Sequence, residues 1–263
     1  PMNSGKLDMT GSTNQKNAPV ALVTGGAQRV GAVIVQALAS AGYRVAIHYN
    51  SSSRSASTME EQIAEQGGEA MSVQADLRDE AAVQAMIEQV YQRFGRIDAM
   101  VNSAAIWERK PLLQVTAQDV RDHFEVNTLG TFLCCQKVGA IMIQQESGGS
   151  IVNISDWAIV RPYLDYAAYF PSKGAIPALT RSMAVELAAM NPNIRVNAVL
   201  PGPVLLPANL SKEERATAVA GTLLKREGSP ENVADAVLFL LRNDFVAGVC
   251  LPVDGGRSIA PGE

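Results

Sequence analysis

Side chains that can move protons are concentrated in one short segment, 153–175, which reads NISDWAIVRPYLDYAAYFPSKGA. Tyr169 and Lys173 are four residues apart, so they share one face if the segment is helical. An ammonium group beside a phenol stabilises the phenolate and lowers its pKa from the usual value of about 10. The pair therefore predicts a general acid at Tyr169 that is tuned by Lys173, and Asp156 adds a carboxyl group after the preceding apolar run.

A glycine-rich turn, TGGAQRVG at 24–31, follows the first strand-like run of the chain. Gly25 and Gly31 allow the backbone to turn sharply and to approach a ligand closely. A helix-like stretch begins near Val30, and its free N–H groups and dipole favour an anion at the turn. This order of elements predicts a pyrophosphate-binding loop. The same glycines would also permit tight packing of a strand on a helix, and that alternative stays open.

The end of the second strand-like run, HYNSSSR at 48–54, indicates which dinucleotide binds. An NAD site has an acidic residue there, which accepts hydrogen bonds from the adenosine ribose, and this segment has none. Asn50, Ser51 and Ser52 offer donors to a 2′-phosphate, and Arg29 or Arg54 offers positive charge. We therefore expect NADP(H), against the alternative of a polar loop that does not discriminate between the two dinucleotides.

The composition is that of a globular domain of 263 residues, with 47% hydrophobic and 18% charged residues. The formal net charge of −4 argues against a nucleic-acid surface, which is normally basic. The three cysteines and two histidines have no metal-ligand spacing, so we expect no metal, no disulfide scaffold and a reducing, cytoplasmic location. No apolar run approaches the roughly 20 residues of a membrane span, so no membrane partner is expected.

Short strand-like runs alternate with longer amphipathic stretches from residue 19 onward. The predicted strands are 20–24, 44–49, 70–74, 99–102, 150–154, 195–200 and 248–253, and the predicted helices are 30–41, 55–66, 80–94, 120–145, 167–189 and 231–242. This alternation predicts an α/β fold, a single Rossmann-type doubly wound parallel sheet with helices on both faces. Residues 1–18 read as a flexible polar tail and 19–263 as the single domain. The long connection near 201–230 reads either as a substrate lid or as a surface excursion.

Several motifs occur in a highly specific order: TGGAQRVG at 24–31, ADL at 75–77, VNSAA at 101–105, Asn127, YFPSK at 169–173 and PG at 201–202. Together they resemble the short-chain dehydrogenase/reductase family over almost the whole chain after the tail. The resemblance implies a homotetramer that transfers hydride to or from a nicotinamide. It implies that Tyr169 donates the proton, that Lys173 holds the nicotinamide ribose and that Asn127 belongs to the proton relay. With the residues argued above, the cofactor-binding set is Gly25, Arg29, Val30, Gly31, Tyr49, Asn50, Ser51, Ser52, Asp76, Leu77, Asn102, Ser103, Ala104, Lys173, Pro201 and Gly202.

Asp156 stands where most members of that family carry a serine that holds a substrate carbonyl. An ionised carboxylate cannot donate this hydrogen bond, so the replacement favours a substrate that is protonated on nitrogen or presents N–H donors. The pteridine reductase branch shows the replacement, and Arg29, Trp107 and Tyr166 resemble further residues of that branch, whereas Ala105 replaces a serine that the branch often has. The resemblance implies that NADPH reduces a C=N bond of a dihydropterin or dihydrofolate, with Asp156 supplying the ring proton. The substrate-binding set that it implies is Arg29, Trp107, Asp156 and Tyr169.

Two other functions stay open. The chain could be an NADPH-dependent carbonyl reductase that acts on a ketoacyl, steroid or sugar-like ketone. It could also be a dinucleotide sensor without catalysis, although Tyr169, Lys173 and Asn127 together argue against a sensor. Within the wider superfamily, Tyr166 stands seven residues before Lys173, which is the spacing of enoyl reductases.

Some of these side chains also have purely structural interpretations. Asp156 could cap the turn that follows it or pair with Arg161, and Trp107 could only pack under its loop. Tyr166 could be a hydrogen-bond donor behind the site. Pro177 should remove one hydrogen bond from the predicted helix 167–189 and kink it.

Overall fold

Seven parallel strands form a single sheet in the computed structural model of the chain, which describes residues 17–207 and 210–261. The strands are β1 (Val20–Thr24), β2 (Arg44–Tyr49), β3 (Ala70–Gln74), β4 (Ala99–Asn102), β5 (Gly149–Ile154), β6 (Ile194–Pro201) and β7 (Cys250–Val253). Their spatial order is β3-β2-β1-β4-β5-β6-β7, and every neighbouring pair is parallel. The direction of strand addition reverses between β1 and β4, and ligands bind in the crevice at such a switch point.

Helices cover both faces of the sheet. They are α1 (Arg29–Ser40), α2 (Ser53–Glu65), α3 (Glu80–Phe94), α4 (Ala117–His123), α5 (Gly130–Gln144), α6 (Tyr169–Met190), α7 (Lys212–Ala220) and α8 (Pro230–Arg242). One apolar cluster joins α1, α2 and α8 to the sheet, and a second joins α3, α5 and α6 to its other face. The predicted doubly wound α/β fold is therefore confirmed, and the predicted boundaries differ from the observed ones by no more than a few residues.

Helices α4 and α5 form one continuous helical run, Ala117–Gln144, through a wider π-helical turn at Phe124–Leu129. The run has the length of a membrane span, and an 18-residue window of it has a mean hydropathy of 1.3. This corrects the prediction that no apolar stretch of the chain approaches that length. Half of the window is buried, and α5 contributes Leu133, Val138 and Met142 to the second apolar cluster, so core packing accounts for its composition.

Helix α6 continues past Pro177 instead of ending there. A proline has no N–H, so the carbonyl of Lys173, four residues earlier, receives no helical hydrogen bond from residue 177. The hydroxyl of Ser155 donates to this carbonyl at 2.9 Å. The hydrogen bond that the sequence leaves missing is thus replaced by a tertiary one, which ties α6 to the end of β5.

The two segments that we predicted to differ from the domain core are described only in part. The N-terminal tail, residues 1–18, lies outside the described residues except for its last two, and the carbonyl of Ala18 accepts hydrogen bonds from Arg44 at 2.9 and 3.1 Å. The connection after β6 contains α7 and is braced by an ion pair of 2.6 Å between Arg215 and Glu227. Its role as a lid stays a prediction.

Candidate active site

The carboxyl ends of β1, β4 and β5 meet at one edge of the sheet, where Thr24 pairs with Asn102 and Asn102 with Asn153. The Thr24 hydroxyl accepts the N–H groups of Ser103 and Ala104 at 3.1 and 3.2 Å, which fixes the chain after β4 beside the glycine loop. The Asn102 side chain is buried and donates to Asn153 Oδ1 at 2.9 Å. Of these three predicted cofactor residues, Ser103 and Ala104 therefore line the edge, whereas the Asn102 side chain serves the core.

The glycine loop has no room for side chains at two of its positions. Gly25 has φ +62°, and a Cβ there would lie 2.8 Å from Ala104 Cα. A Cβ at Gly31 would lie 2.2 Å from the Gly25 carbonyl oxygen. Val30 and Gly31 belong to the first turn of α1, whose N–H groups have no partner within the helix. Arg29 is exposed and holds φ +54°, so the loop can present both N–H groups and a guanidinium to an anion.

His48, to which the sequence reasoning gave no role, connects this loop to the neighbouring strands. Its Nδ1 accepts the Gly25 N–H at 3.1 Å, and its Nε2 lies 3.1 Å from the Ala75 carbonyl, so the proton belongs on Nε2. Burial lowers the pKa of His48, which favours the neutral ring that this arrangement requires. The His48 carbonyl also accepts the Gly26 N–H at 3.0 Å, so one residue holds the loop by both side chain and backbone.

The end of β2 is open to solvent. Tyr49 is half-buried, Asn50 and Ser51 are exposed, and Ser52 immediately precedes α2. Arg54 is exposed in the first turn of α2. These polar groups are free to turn toward a ligand, and no carboxylate lies among residues 48–54 to repel a phosphate.

A cavity of about 380 Å³ lies between the glycine loop, the end of β3 and α4, and its wall includes the predicted cofactor residues Gly25, Asn50, Asp76, Leu77 and Ala104. The Asp76 carboxylate is 2.5 Å from Arg78 Nη2, and this hydrogen bond lowers the pKa of Asp76. The pairing leaves Asp76 an ionised acceptor at the cavity wall, which suits an amino group such as that of adenine.

Asn127 lies in the π-helical turn between α4 and α5, and its side-chain amide is fully engaged. Its Oδ1 accepts the Ile106 N–H at 2.9 Å, and its Nδ2 donates to the Ile106 carbonyl and to Ser172 Oγ, both at 3.0 Å. Ser172 donates in turn to the Tyr169 carbonyl at 2.6 Å. Asn127 therefore connects the loop after β4 to the first turn of α6, and its place in a proton relay stays a prediction.

Asp156 and Tyr169 form a hydrogen-bonded pair. The Tyr169 hydroxyl donates to Asp156 Oδ2 at 3.0 Å, while Asp156 Oδ1 accepts the Ala158 N–H at 2.8 Å. Asp156 thus caps the short 3₁₀ turn Trp157–Ile159 and meets the tyrosine at the same time. Arg161 donates its hydrogen bonds to the backbone carbonyls of Arg257 and Ala260, so the alternative pairing of Asp156 with Arg161 does not form.

Burial dominates the ionisation of this pair. It raises the pKa of Asp156, although the hydrogen bonds from Ala158 and Tyr169 and the charge of Lys173 oppose the rise. It also raises the pKa of Tyr169 well above 10, and the Asp156 charge raises it further. The prediction that Lys173 lowers the pKa of the phenol is therefore wrong for this structure. The carboxyl group, not the phenol, is the more readily ionised acid of the pair.

Lys173 is buried one turn after Tyr169 on α6, and its ammonium donates to the Ile154 carbonyl at 2.7 Å. Burial lowers the pKa of Lys173 to about 8, and the Asp156 carboxylate counteracts part of this effect. The Ile154 bond ties the lysine to the end of β5.

Trp107 packs against Tyr166 with ring centroids 5.2 Å apart and an angle of 10° between the planes. Tyr166 then meets the edge of Tyr169 at 6.3 Å. One face of Trp107 is therefore covered, and only the other could receive a substrate ring. Ile106, one residue earlier, lies in the cavity wall.

Pro201 ends β6, and Gly202 packs against the turn that follows β7. The Gly202 N–H donates to the Val253 carbonyl at 2.9 Å, and a Cβ on Gly202 would lie 2.4 Å from Asp254 Cα. The glycine thus has a packing reason of its own at the sheet edge, and the role of both residues in cofactor binding stays a prediction.

A family model described as enoyl-(acyl carrier protein) reductase matches residues 25–258. The chain belongs to the short-chain dehydrogenase/reductase family. It is an oxidoreductase, and the family uses nicotinamide dinucleotide cofactors. The family that the sequence motifs resemble is therefore confirmed. The hydrogen-bonded Asp156–Tyr169 pair lies at the sheet edge of a short-chain dehydrogenase/reductase.

Relatives of different activities are about equally similar. The chain is 37% identical to an uncharacterized oxidoreductase of Methylorubrum extorquens, with 90% of this chain and 96% of that protein covered. It is 33% identical to pteridine reductase 1 of Leishmania tarentolae, with coverages of 94% and 99%. It is 34% identical to a 3-oxoacyl-[acyl-carrier-protein] reductase of Synechocystis, with coverages of 91% and 96%. Overall sequence identity thus shows the family, and the substrate has to be inferred from the residues of the site.

Proposed function

We propose that this chain is an NADPH-dependent reductase that transfers hydride to a C=N bond of a pterin or folate-type substrate. The observation that carries the proposal is the Asp156 carboxyl group, which lies 3.0 Å from the Tyr169 hydroxyl and has a pKa raised by burial. Such a group retains its proton at higher pH than a free carboxylic acid and can release it to a ring nitrogen. The similarity to pteridine reductase 1 supports the same assignment.

The residues of the sheet edge fit a dinucleotide. Close packing keeps side chains out of the loop at Gly25 and Gly31. The loop thus exposes backbone at the start of α1, where helix N–H groups and Arg29 suit a pyrophosphate. The end of β2 supports the phosphorylated dinucleotide, because it offers Asn50 and Ser51 and no carboxylate. When bound, the reduced nicotinamide supplies the hydride.

The protein's own part in the reaction is to hold the substrate and move one proton. Asp156 gives its proton to the ring nitrogen and regains one from solvent, while the Tyr169 hydroxyl, which donates to Oδ2, stabilises the carboxylate in between. Lys173 offers a buried ammonium at the end of β5 that suits a ribose hydroxyl. Asn127 keeps the Tyr169-bearing turn in place through Ser172.

A carbonyl reductase is the second candidate. The similarity to a 3-oxoacyl reductase favours it, and the Tyr169 phenol, protonated over the whole physiological range, could donate to a carbonyl oxygen. In that reaction the phenol would supply the one proton that the carbonyl oxygen needs, so Asp156 would have no role as a proton donor. The two candidates therefore differ in what the Asp156 carboxyl contributes.

The deciding experiment measures NADPH oxidation with dihydrobiopterin and with a panel of ketones, for the wild type and Asp156→Ser. We expect dihydrobiopterin turnover in the wild type and a loss of about 10²-fold or more in Asp156→Ser, the usual contribution of a general acid. Ketone turnover should fall much less, since a serine hydroxyl can hold a carbonyl. The control is Asp165→Asn, which removes a nearby carboxylate that is paired with Arg109 at 3.0 Å.

Three other outcomes of this experiment would argue against pterin reduction by Asp156. Equal losses on pterin and ketone in Asp156→Ser would contradict a proton donor that is specific for nitrogen. Ketone reduction without pterin reduction would favour the second candidate. NADPH binding without turnover on either set would indicate the sensor.

Assembly as a homotetramer is also a proposal. The exposed apolar side chains of Phe132 on α5 and Val185 on α6 support it, because such residues often lie in subunit contacts. Light scattering should then give a mass four times that of the 27.9 kDa chain. The cytoplasmic location stays a prediction.

A further inference from the structure

Two arginines lie directly beside the Asp156 turn. Arg161 follows this turn, and its Nη1 donates to the carbonyls of Arg257 and Ala260 at 3.1 and 2.7 Å. The guanidinium carbon of Arg257 lies 4.8 Å from the ring centroid of Trp157, the residue after Asp156. The hydrogen bond from Arg161 to the backbone carbonyl of Arg257 thus places the two arginines next to each other.

Neither guanidinium forms an ion pair with a carboxylate within residues 17–207 and 210–261. Asp254 attracts Arg257 through space, but its oxygens accept the N–H groups of Gly256 and Ser258 at 2.9 and 2.7 Å. Burial and the neighbouring charge of Arg161 lower the pKa of Arg257, yet an arginine stays protonated. Within the described residues these two adjacent positive charges therefore have no ion-pair partner.

The arginine pair borders three segments that follow carboxyl ends of strands. Arg161 lies after β5, Arg257 lies after β7, and Arg257 also donates through Nη1 to the Ala218 carbonyl on α7, in the predicted lid. Tyr163, which is electrostatically coupled to both Asp156 and Arg257, packs edge-on against Phe170 at 4.9 Å. The pair therefore lies beside the turn that carries Asp156.

The chemistry of the two guanidinium groups suits a carboxylate. Each has five N–H donors in a planar fork. The hydrogen bonds that the two side chains donate within the described residues use only Nη1 of each. The remaining donors can bind a carboxylate in bidentate fashion.

We propose that Arg161 and Arg257 form a binding site for a carboxylate tail of the substrate, as the glutamyl part of a folate would provide. This inference rests on the proposed function and narrows it, because a simple pterin lacks such a tail. The Asp156–Tyr169 pair would act on the heterocycle, while the arginine pair would hold the tail outside it.

Kinetics with two substrates test the proposal in the enzyme. Dihydrofolate carries tail carboxylates and dihydrobiopterin carries none. In Arg161→Gln we expect kcat/KM for dihydrofolate to fall about tenfold, the loss of one charge-assisted hydrogen bond, with dihydrobiopterin changed less than about twofold. Arg121→Gln, which removes an exposed arginine on α4, should change neither.

A binding measurement gives an answer that does not depend on turnover. The chain has two tryptophans, so Trp107→Phe leaves Trp157, under Arg257, as the only reporter. We expect p-aminobenzoylglutamate to change Trp157 fluorescence in a saturable and salt-sensitive way, and 4-aminobenzamide, which lacks carboxylates, to have no such effect. Adding Arg161→Gln should weaken the p-aminobenzoylglutamate binding about tenfold.

The outcomes separate this inference from the proposed function. If neither pterin nor folate is reduced, the proposed function fails, and the fluorescence titration alone decides on the carboxylate site. Absence of p-aminobenzoylglutamate binding with both arginines intact would overturn the site. Unchanged binding and unchanged dihydrofolate kinetics in Arg161→Gln would also overturn it, and this exposed variant avoids the risk that Arg257→Gln disturbs Trp157.

Discussion

The proton-transfer corner (Asp156, Tyr169 and Lys173) and the end of β2 (residues 49–54) contribute to the same proposed reaction, but they are built in opposite ways. In the corner, Tyr169 and Lys173 are buried, and all three functional groups already hold hydrogen bonds of 2.7–3.0 Å within the chain. At the end of β2 the polar side chains are mostly exposed. The fold thus fixes the chemistry in advance, whereas the choice of dinucleotide depends on contacts that form only with the ligand.

The largest expected effect concerns the corner and is seen in its pH dependence. A raised pKa keeps Asp156 protonated at higher pH than a free carboxyl group, so pterin reduction should proceed below this pKa and fall about tenfold per pH unit above it. The Asp156→Asn variant should reduce pterin slowly, and its rate should not show this decrease at high pH. Lys173, with a pKa of about 8, should contribute a separate change that persists in the variant.

The measurement is kcat/KM for dihydrobiopterin between pH 5 and pH 10, roughly the range in which such groups titrate in proteins. Ketone reduction, if it occurs, provides the control, since Tyr169 stays protonated over this range. Identical pH profiles for the wild type and Asp156→Asn would contradict the assignment of the proton to Asp156.

The next effect concerns the end of β2. Ser51→Asp places a carboxylate where a 2′-phosphate is expected, so repulsion should weaken NADPH and hydrogen bonds to the ribose should favour NADH. We expect the ratio of kcat/KM for NADPH over NADH to fall about 10–100-fold, since a charged hydrogen bond contributes about 1.5–3 kcal/mol. Ser57→Asp, also exposed but further along α2, is the matched control. A similar change in both variants would indicate a general charge effect.

A smaller effect should follow from His48, which connects the two regions through the glycine loop. His48→Leu leaves the Gly25 N–H without its acceptor, and about 1 kcal/mol of lost binding corresponds to a roughly fivefold rise in KM for NADPH. His48→Asn can still offer an oxygen near the position of Nδ1 and should behave more like the wild type. A loss confined to kcat in either variant would contradict a role in holding the loop.

The smallest effect on activity is expected for the hydrogen bond that compensates for Pro177. Ser155→Ala leaves the buried Lys173 carbonyl without a partner and should lower the free energy of unfolding by about 1–3 kcal/mol. In a Pro177→Ala background the restored N–H can bond this carbonyl, so the same Ser155→Ala change should have a smaller effect. Equal losses in both backgrounds, measured by urea unfolding, would show that the serine stabilises the protein in another way.

Much of the fold could be predicted because its signals are local. The alternation of strand-like and helix-like runs located every strand of the sheet, and the glycines of residues 24–31 marked the loop at its edge. The pairing of Asp156 with Tyr169 followed from a family pattern. The direction of the Tyr169 pKa shift could not be predicted, because burial outweighs a neighbouring charge and burial is not a property of local sequence.

The amino-acid sequence by itself determined the order of the elements, the family and the types of side chain that reach the sheet edge, since periodicity and motif spacing are properties of the chain. Only the tertiary structure decided that His48 holds Gly25, that Ser155 replaces the hydrogen bond lost at Pro177 and that Arg161 meets Arg257. Each of these contacts joins residues that are distant in sequence, or depends on which group is withdrawn from water. Tertiary packing alone determines which distant residues meet and which groups are buried.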